Sequence, residues 1–423
     1  MKKMGRLLFG LIVLLGLDAP AGAQTTPAQP HPIAGPWVEL GTDNDLQVRV
    51  VVQSNVAACP VVVADGKTIE ARQRGAADGN FPVTVCSATV PLATKTLTVG
   101  GDPVPAVAAT INRIVVFGDT GCRIEGSTAQ DCDDHKQWPF PVIAKHAADK
   151  KPDLVIHVGD YYYREDVCPA GNKGCKDSPH GDNWGAWNAD FLEPAQPLLA
   201  AAPWVMVRGN HELCKRGGAG WMRLLDPRAD LPDCADTSPP YKLRLGGLDL
   251  MVFDSADADD TKPDPKKVAV YALQLTQILA NEPQGSWLVT HRPIWALGKG
   301  KNPGETVNQT LQAAIKGHIQ PSLDMVVSGH LHDFASYSFG PQRPAQLIVG
   351  VGGDTMDALP SDKLVGATID GMKTTKGFAL ERFGFFVMDH HAGGDWSGTL
   401  YDPDGKTVLA RCAIAGRDLD CHN

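Results

Sequence analysis

Residues 153–163 read DLVIHVGDYYY. A short apolar run, rich in β-branched residues, ends in Gly159 and Asp160, and three tyrosines follow. Such a run is a buried strand, and a Gly–Asp step after it turns the backbone sharply. The same shape returns on both sides. RIVVFGD ends at Asp119, WVMVRGNHE carries Asn210 and His211, WLVTH ends at His291, and MVVSGHLH carries His330 and His332. Further apolar runs are DLMVFDS (249–255), QLIVGVGG (346–353), FGFFVMD (383–389) and SGTLYD (397–402). Helix-like stretches at 138–150, 184–200, 267–281 and 306–320 separate several of them. Strands interrupted by helices pair in parallel. In open α/β sheets the ligand site lies beyond the carboxyl ends of the strands, where these polar residues fall.

Upstream the pattern changes. DLQVRVVVQS (45–54), CPVVVADG (59–66), FPVTVCSATV (81–90) and KTLTVGG (95–101) are short β-branched runs broken by Gly, Asp and Asn. They predict a small all-β sandwich over 34–108, ahead of an α/β domain over 111–423. No cluster of histidines and carboxylates falls in the sandwich, so it is read as support. Near the C-terminus YDPDGKTVL (401–409) reads as a hairpin turn in a closing meander.

The first 23 residues read as a secretory signal peptide. Lys2, Lys3 and Arg6 precede an apolar run from Leu7 to Leu17, and Ala21-Gly22-Ala23 offers a cleavage site. That run is short for a membrane anchor, so the expected protein is exported, periplasmic or secreted, and unanchored. Residues 24–33 are Thr/Pro/Gln-rich and read as a disordered linker. The formal net charge of −9 argues against nucleic acid as the bulk partner. Ten cysteines in an oxidising compartment read as disulfides. They fall into neighbouring pairs: Cys59/Cys86, Cys122/Cys132, Cys168/Cys175, Cys214/Cys234 and Cys412/Cys421. No CxxC spacing supports a cysteine metal site.

The strand-end residues are carboxylate, amide and imidazole, which are hard or borderline metal ligands. Asp119, Asp160, Asn210, His291, His330 and His332 are too many for one ion that must also bind water and substrate. They suit two ions sharing a carboxylate, about 3.5–4 Å apart. In GHLH the i, i+2 spacing puts both imidazoles on one face of an extended segment.

The ordered set GDTG, GDYYY, GNHE, LVTH and GHLH resembles the calcineurin-like metallophosphoesterases. Tyr163, three residues after Asp160, narrows the resemblance to the purple acid phosphatase branch. Leu288 replaces that branch's Val in the fourth motif, an apolar change that leaves His291 untouched. The resemblance implies a four-layer α/β/β/α sandwich, preceded by a fibronectin-like β-sandwich as in larger members. It implies that Asp119, Tyr163 and His332 hold a ferric ion. Asn210, His291 and His330 would hold a divalent ion, Fe2+, Zn2+ or Mn2+, and Asp160 would bridge the two. Tyr163 would then be deprotonated by its ion, while Tyr161 and Tyr162 pack or line the cleft.

The implied activity is hydrolysis of small phosphate monoesters, by attack of a hydroxide held on the ion pair. His211 is the candidate to protonate the leaving group or to orient the phosphate, and Glu212 either holds it or lies at the surface. Arg292 offers a two-pronged fork suited to a phosphate oxygen. The loops at 164–182 and 214–239 are expected to shape the cleft. A phosphodiesterase or nucleotidase on the same core is the alternative, and a catalytically inactive exported binding protein a further one. His157 is expected in the core or behind the site, and His390 and His391 at the surface.

Overall fold

The computed structural model describes residues 1, 31–56, 58–298, 305–357, 359 and 361–423. The signal segment after Met1, and the linker up to residue 30, lie outside the described residues. Two large sheets pack face to face. In the first, β1 (Pro32–Leu40), β2 (Arg113–Phe117), β3 (Leu154–His157) and β4 (Trp204–Met206) lie side by side in the order β2-β3-β4-β1. Those four run parallel. In the second, β5 (Leu248–Phe253), β6 (Ser286–Thr290), β7 (Leu323–Ser328) and β8 (Ala345–Val349) are parallel neighbours in that order.

Alternation along each strand builds the layers. Ile114 and Val116 face the core between the sheets, while Val115 and Phe117 face outward. Likewise Leu250 and Val252 point inward, and Met251 and Phe253 outward. A period of two leaves both faces apolar, so both must be covered. Helices Phe140–Ala148, Trp184–Trp187, Glu193–Leu199 and Gly218–Leu224 cover the first sheet. Helices Pro265–Leu279 and Gln309–Ile315 cover the second. The result is the expected four-layer α/β/β/α arrangement. Phe117 is fully buried against Phe140 and Trp204, and its truncation to Ala would cost about 3–5 kcal/mol.

The helix boundaries follow local chemistry. Pro265 starts its helix behind Asp264, whose carboxylate caps the N–H groups of Lys266 and Lys267. Asn281, at φ +59°, ends it in the left-handed region. The helix expected over 306–320 is shorter, Gln309–Ile315, because Glu305–Val307 pairs with Ala296–Gly298 as a hairpin. Helix Gly218–Leu224 has no counterpart in the sequence reading; three glycines in GGAG weaken its signal.

The N-terminal strands form an all-β unit with two sheets, and one of them continues the first large sheet. β1 starts at Pro32, inside the stretch expected to be linker, and pairs in parallel with β4 through Glu39 and Trp204. On its other side it pairs with Asp45–Gln53, which pairs with Val83–Pro91. A fully buried ion pair joins Glu39 to Arg49, 2.5 Å apart. Arg49 Nη1 also donates to the Leu224 carbonyl at 2.8 Å, and Arg74 Nε to that of Met222 at 3.2 Å. These carbonyls end helix Gly218–Leu224 and lack partners within it. All five neighbouring cysteine pairs are disulfides. The expected hairpin also forms, between Trp396–Tyr401 and Val408–Ala415.

Candidate metal centre

Every motif sits at a strand's carboxyl end. Asp119 follows β2, Asp160 follows β3, Asn210 opens a short 3-10 turn after β4, His291 follows β6, and His330 follows β7. Asp119, Asp160 and His330 take φ values of +58°, +59° and +71°. Non-glycine residues there carry about 1–3 kcal/mol of strain each, and such strain gathers at functional sites. Gly159 has φ +101°, and a Cβ on it would lie 2.5 Å from His291 Nδ1. The glycine lets the two motifs close on each other.

Two donor sets meet at one oxygen. Asp160 Oδ2 lies 2.9 Å from Tyr163 Oη and 3.2 Å from His291 Nε2. Around Tyr163 Oη gather Asp119 Oδ1 at 3.3 Å and His332 Nε2 at 3.1 Å. Around His291 Nε2 lies Asn210 Oδ1 at 3.1 Å. Ligand atoms of Asp160, His291 and His330 fall within 4.8 Å of one another. All seven expected residues therefore converge, with Asp160 between the halves.

The imidazoles are oriented from behind. His291 Nδ1 lies 2.8 Å from the Val158 carbonyl and His332 Nδ1 2.8 Å from the Thr355 carbonyl. A carbonyl only accepts, so each Nδ1 carries the proton and each Nε2 is left to bind an ion. Asp119 is fully buried, and burial together with Asp160 pushes its carboxyl well above the usual range. Burial, Asp160 and Asp119 likewise push up the Tyr163 hydroxyl. For Asp160 burial acts against ionisation, yet the imidazoles of His291 and His211 outweigh it and hold the carboxyl low. Anionic groups packed this closely, with hard ligand chemistry, fit two cations; a cation would reverse the upward shifts.

The tyrosines divide their roles. Tyr161 stacks on His157 with ring centroids 3.8 Å apart, and Tyr162 on Trp187 at 5.6 Å. Both are buried packing residues. His157 is buried in β3, with Nε2 3.0 Å from Thr120 Oγ1. His391 is exposed and His390 half-buried.

Two carboxylates missing from the sequence reading, Glu165 and Asp354, support the site, and Glu212 supports it in another way than expected. Glu165, not Glu212, holds His211, with Oε1 2.5 Å from Nδ1. Glu212 is buried, and its carboxylate takes the backbone N–H groups of Gly209, Asp160 and Tyr161 at 2.9, 3.0 and 2.9 Å. Asp354 binds Arg123 and lies 3.4 Å from His332 Nδ1. Its signal was legible in GVGGDT, a sixth strand end with Gly–Asp. Glu165 stood in the YYYRED stretch but in no strand-end pattern. A second cluster, Glu125, Glu165 and His211, has metal-like spacing. It already holds a cation: Arg216 Nη2 lies 2.9 Å from Glu125 Oε1 and contacts Glu165 and His211. Arg216 comes from the loop closed by Cys214–Cys234. The Asp182 carboxylate ties that loop to the 164–182 loop, taking the N–H groups of Ala219 and Gly220 at 2.7 and 3.0 Å.

Arg292, the residue expected at a phosphate oxygen, is bound to its own fold through Nε and Nη1. Its Nε donates to the Ala256 carbonyl at 3.2 Å and its Nη1 to Asp260 Oδ2 at 2.7 Å.

Among the described residues no helix is long and apolar enough to cross a membrane. The family model for calcineurin-like phosphoesterases matches residues 112–334. No curated protein sequence matches significantly. Among solved structures, purple acid phosphatase PPD1 from seeds of yellow lupin (Lupinus luteus) is similar at 13% identity and TM-score 0.57, over 91% of this chain and 73% of that one. PhoD is similar at 12% identity and TM-score 0.55, over 95% of this chain and 94% of that one. At such identities the likeness is one of fold.

Proposed function

The chain belongs to the calcineurin-like phosphoesterase family, and on that premise we propose that it is an exported phosphomonoesterase of the purple acid phosphatase type. Asp119, Tyr163 and His332 would hold a ferric ion, Asn210, His291 and His330 a divalent one, and Asp160 both. The observation that carries the reading is the Tyr163 hydroxyl, centred among Asp160, Asp119 and His332 at 2.9, 3.3 and 3.1 Å. A phenol has little structural reason to sit among two carboxylates, whereas a phenolate on a trivalent ion does. When bound, the ions would neutralise charge on the phosphoryl oxygens and lower the pKa of water.

The protein's own groups do the rest. His211 Nε2 lies 3.9 Å from Asp160 Oδ2, on the ion side of its ring, while Nδ1 faces Glu165. Glu165 stabilises the imidazolium, and Nε2–H is placed to protonate a leaving alkoxide. The Tyr163 ring packs against His211, with centroids 3.8 Å apart, and restricts its motion. The five disulfides support export. Arg292 is assigned to Asp260 and not to the substrate.

Metal analysis of the purified protein, with rates on a panel of mono- and diesters, tests the reading. Two ions per chain and a monoester preference of about tenfold or more in kcat/KM are expected, a difference of about 1.4 kcal/mol. A diester preference would replace the substrate class. A protein that binds no ion would be the inactive binding protein.

A further inference from the structure

His291 and His332 are each fixed by a main-chain carbonyl on Nδ1. His330 is held in another way. Its Nε2 lies 3.0 Å from Asp260 Oδ2 and 2.7 Å from Arg292 Nη1. The two neighbours make opposite demands. Asp260, a carboxylate, accepts a hydrogen bond from Nε2–H, which leaves Nδ1 with a lone pair. Arg292 only donates, so its bond to Nε2 requires the proton on Nδ1 and leaves no nitrogen for a cation. Asp260 and Arg292 also bind each other, at 2.7 Å, so both stay beside the ring. The far oxygen, Asp260 Oδ1, is buried without a partner. Among the described residues, the side-chain bonds of Asp260 thus go to His330 and Arg292.

We propose that Asp260 is the positioning residue that sets the tautomer of His330 and so makes it a ligand for the second ion. The proposal rests on the two-ion reading above. Asp260 lies outside the strand-end motifs, in the loop after β5, and it is not among the side chains whose ligand atoms cluster with Asp160 and His291. It acts behind the imidazole, as carboxylate partners of metal-bound histidines do; losing such a partner weakens metal binding about 10–100-fold. Arg292 is the competitor that Asp260 restrains: it holds the carboxylate in place and loses the contest for Nε2.

The test uses the full chain. In metal-free protein labelled with 15N-histidine, long-range 1H–15N spectra should place the His330 proton on Nε2. In Asp260→Ala it should move to Nδ1, with Arg292 donating to Nε2. In calorimetry with zinc, Asp260→Ala should bind the second ion about 10–100-fold more weakly and the first as tightly as wild type. Asp260→Asn, which keeps a neutral acceptor and nearly the same shape, should fall between, and it serves where the Ala variant fails to fold. Adding Arg292→Ala to Asp260→Ala should recover part of the loss. A wild-type proton on Nδ1, or unchanged zinc binding in both Asp260 variants, would overturn the proposal. A wild type that binds only one ion would instead overturn the two-ion reading, and the tautomer spectra would still decide the role of Asp260.

Discussion

His211 Nδ1 lies 2.5 Å from Glu165 Oε1, and the His211 backbone N–H donates to Asp160 Oδ1 at 2.9 Å. One histidine is thus fixed at both ends by residues five apart in the chain. Burial opposes ionisation of Glu165, but hydrogen bonds from His211 and Arg216 hold its carboxyl below the usual range. It is a standing anion beside the ring. His211→Ala should keep both ions and slow alkyl phosphate hydrolysis about 10²–10⁴-fold. The loss should shrink for aryl esters, whose leaving groups need no proton. Glu165→Gln should show the same dependence at smaller amplitude. Equal losses on aryl and alkyl esters would assign His211 to phosphate positioning.

Asp160→Ala tests the shared carboxylate. Its Oδ2 lies beside both donor sets, so the variant should lose both ions and turnover together. Metal analysis after dialysis is the measurement. A variant retaining two ions would show that the bridge is not Asp160.

The three tyrosines give a contrast within one stretch. With iron loaded and oxidised, a phenolate–iron bond at Tyr163 should give a visible absorption band. Tyr163→Phe should lose it, while Tyr161→Phe and Tyr162→Phe, altered only in packing, should keep it. Iron content is measured first, because zinc would leave every variant colourless. An iron-loaded wild type without the band would remove Tyr163 from the ligand set.

Glu212 gives a pH dependence. Burial and the nearby Asp160 raise its carboxyl from 4.5 to about 8 in the folded chain. The folded state therefore keeps a proton that the unfolded state releases above 4.5. Stability falls as pH rises from 4.5 to 8, by a few kcal/mol at most. Urea unfolding of metal-free protein at pH 5 and pH 8 should show this fall, and Glu212→Gln should show less of it. A variant with the wild-type slope would place the effect elsewhere, on Asp119 first.

The strands, their order of polar ends and the residues that converge at the candidate site were legible because each depends on a local pattern. Alternating apolar residues give a strand, and a Gly followed by a ligand gives its end. What lay hidden depends on side chains meeting across the fold. Asp260 and His330 are 70 residues apart, and nothing local to DSADADDTK (254–262) marks the third of its four aspartates, Asp259, as different from the fourth, Asp260. The joining of β1 to β4 was equally hidden, since a strand's pattern shows which face it buries and not which edge it meets. The reading of Glu212 failed for a related reason: adjacency to His211 in the chain suggested contact, whereas a 3-10 turn sends the two side chains to different partners.

The pairing of Glu39 with Trp204 has a practical consequence. With residues 32–110 removed, β4 would present an open edge of unpaired main-chain N–H and C=O groups, four residues before Asn210. Exposed edges recruit strands from other chains, and the helix end bound by Arg49 and Arg74 would lose its cover as well. A shortened chain limited to the phosphoesterase region should therefore self-associate rather than behave as a smaller enzyme.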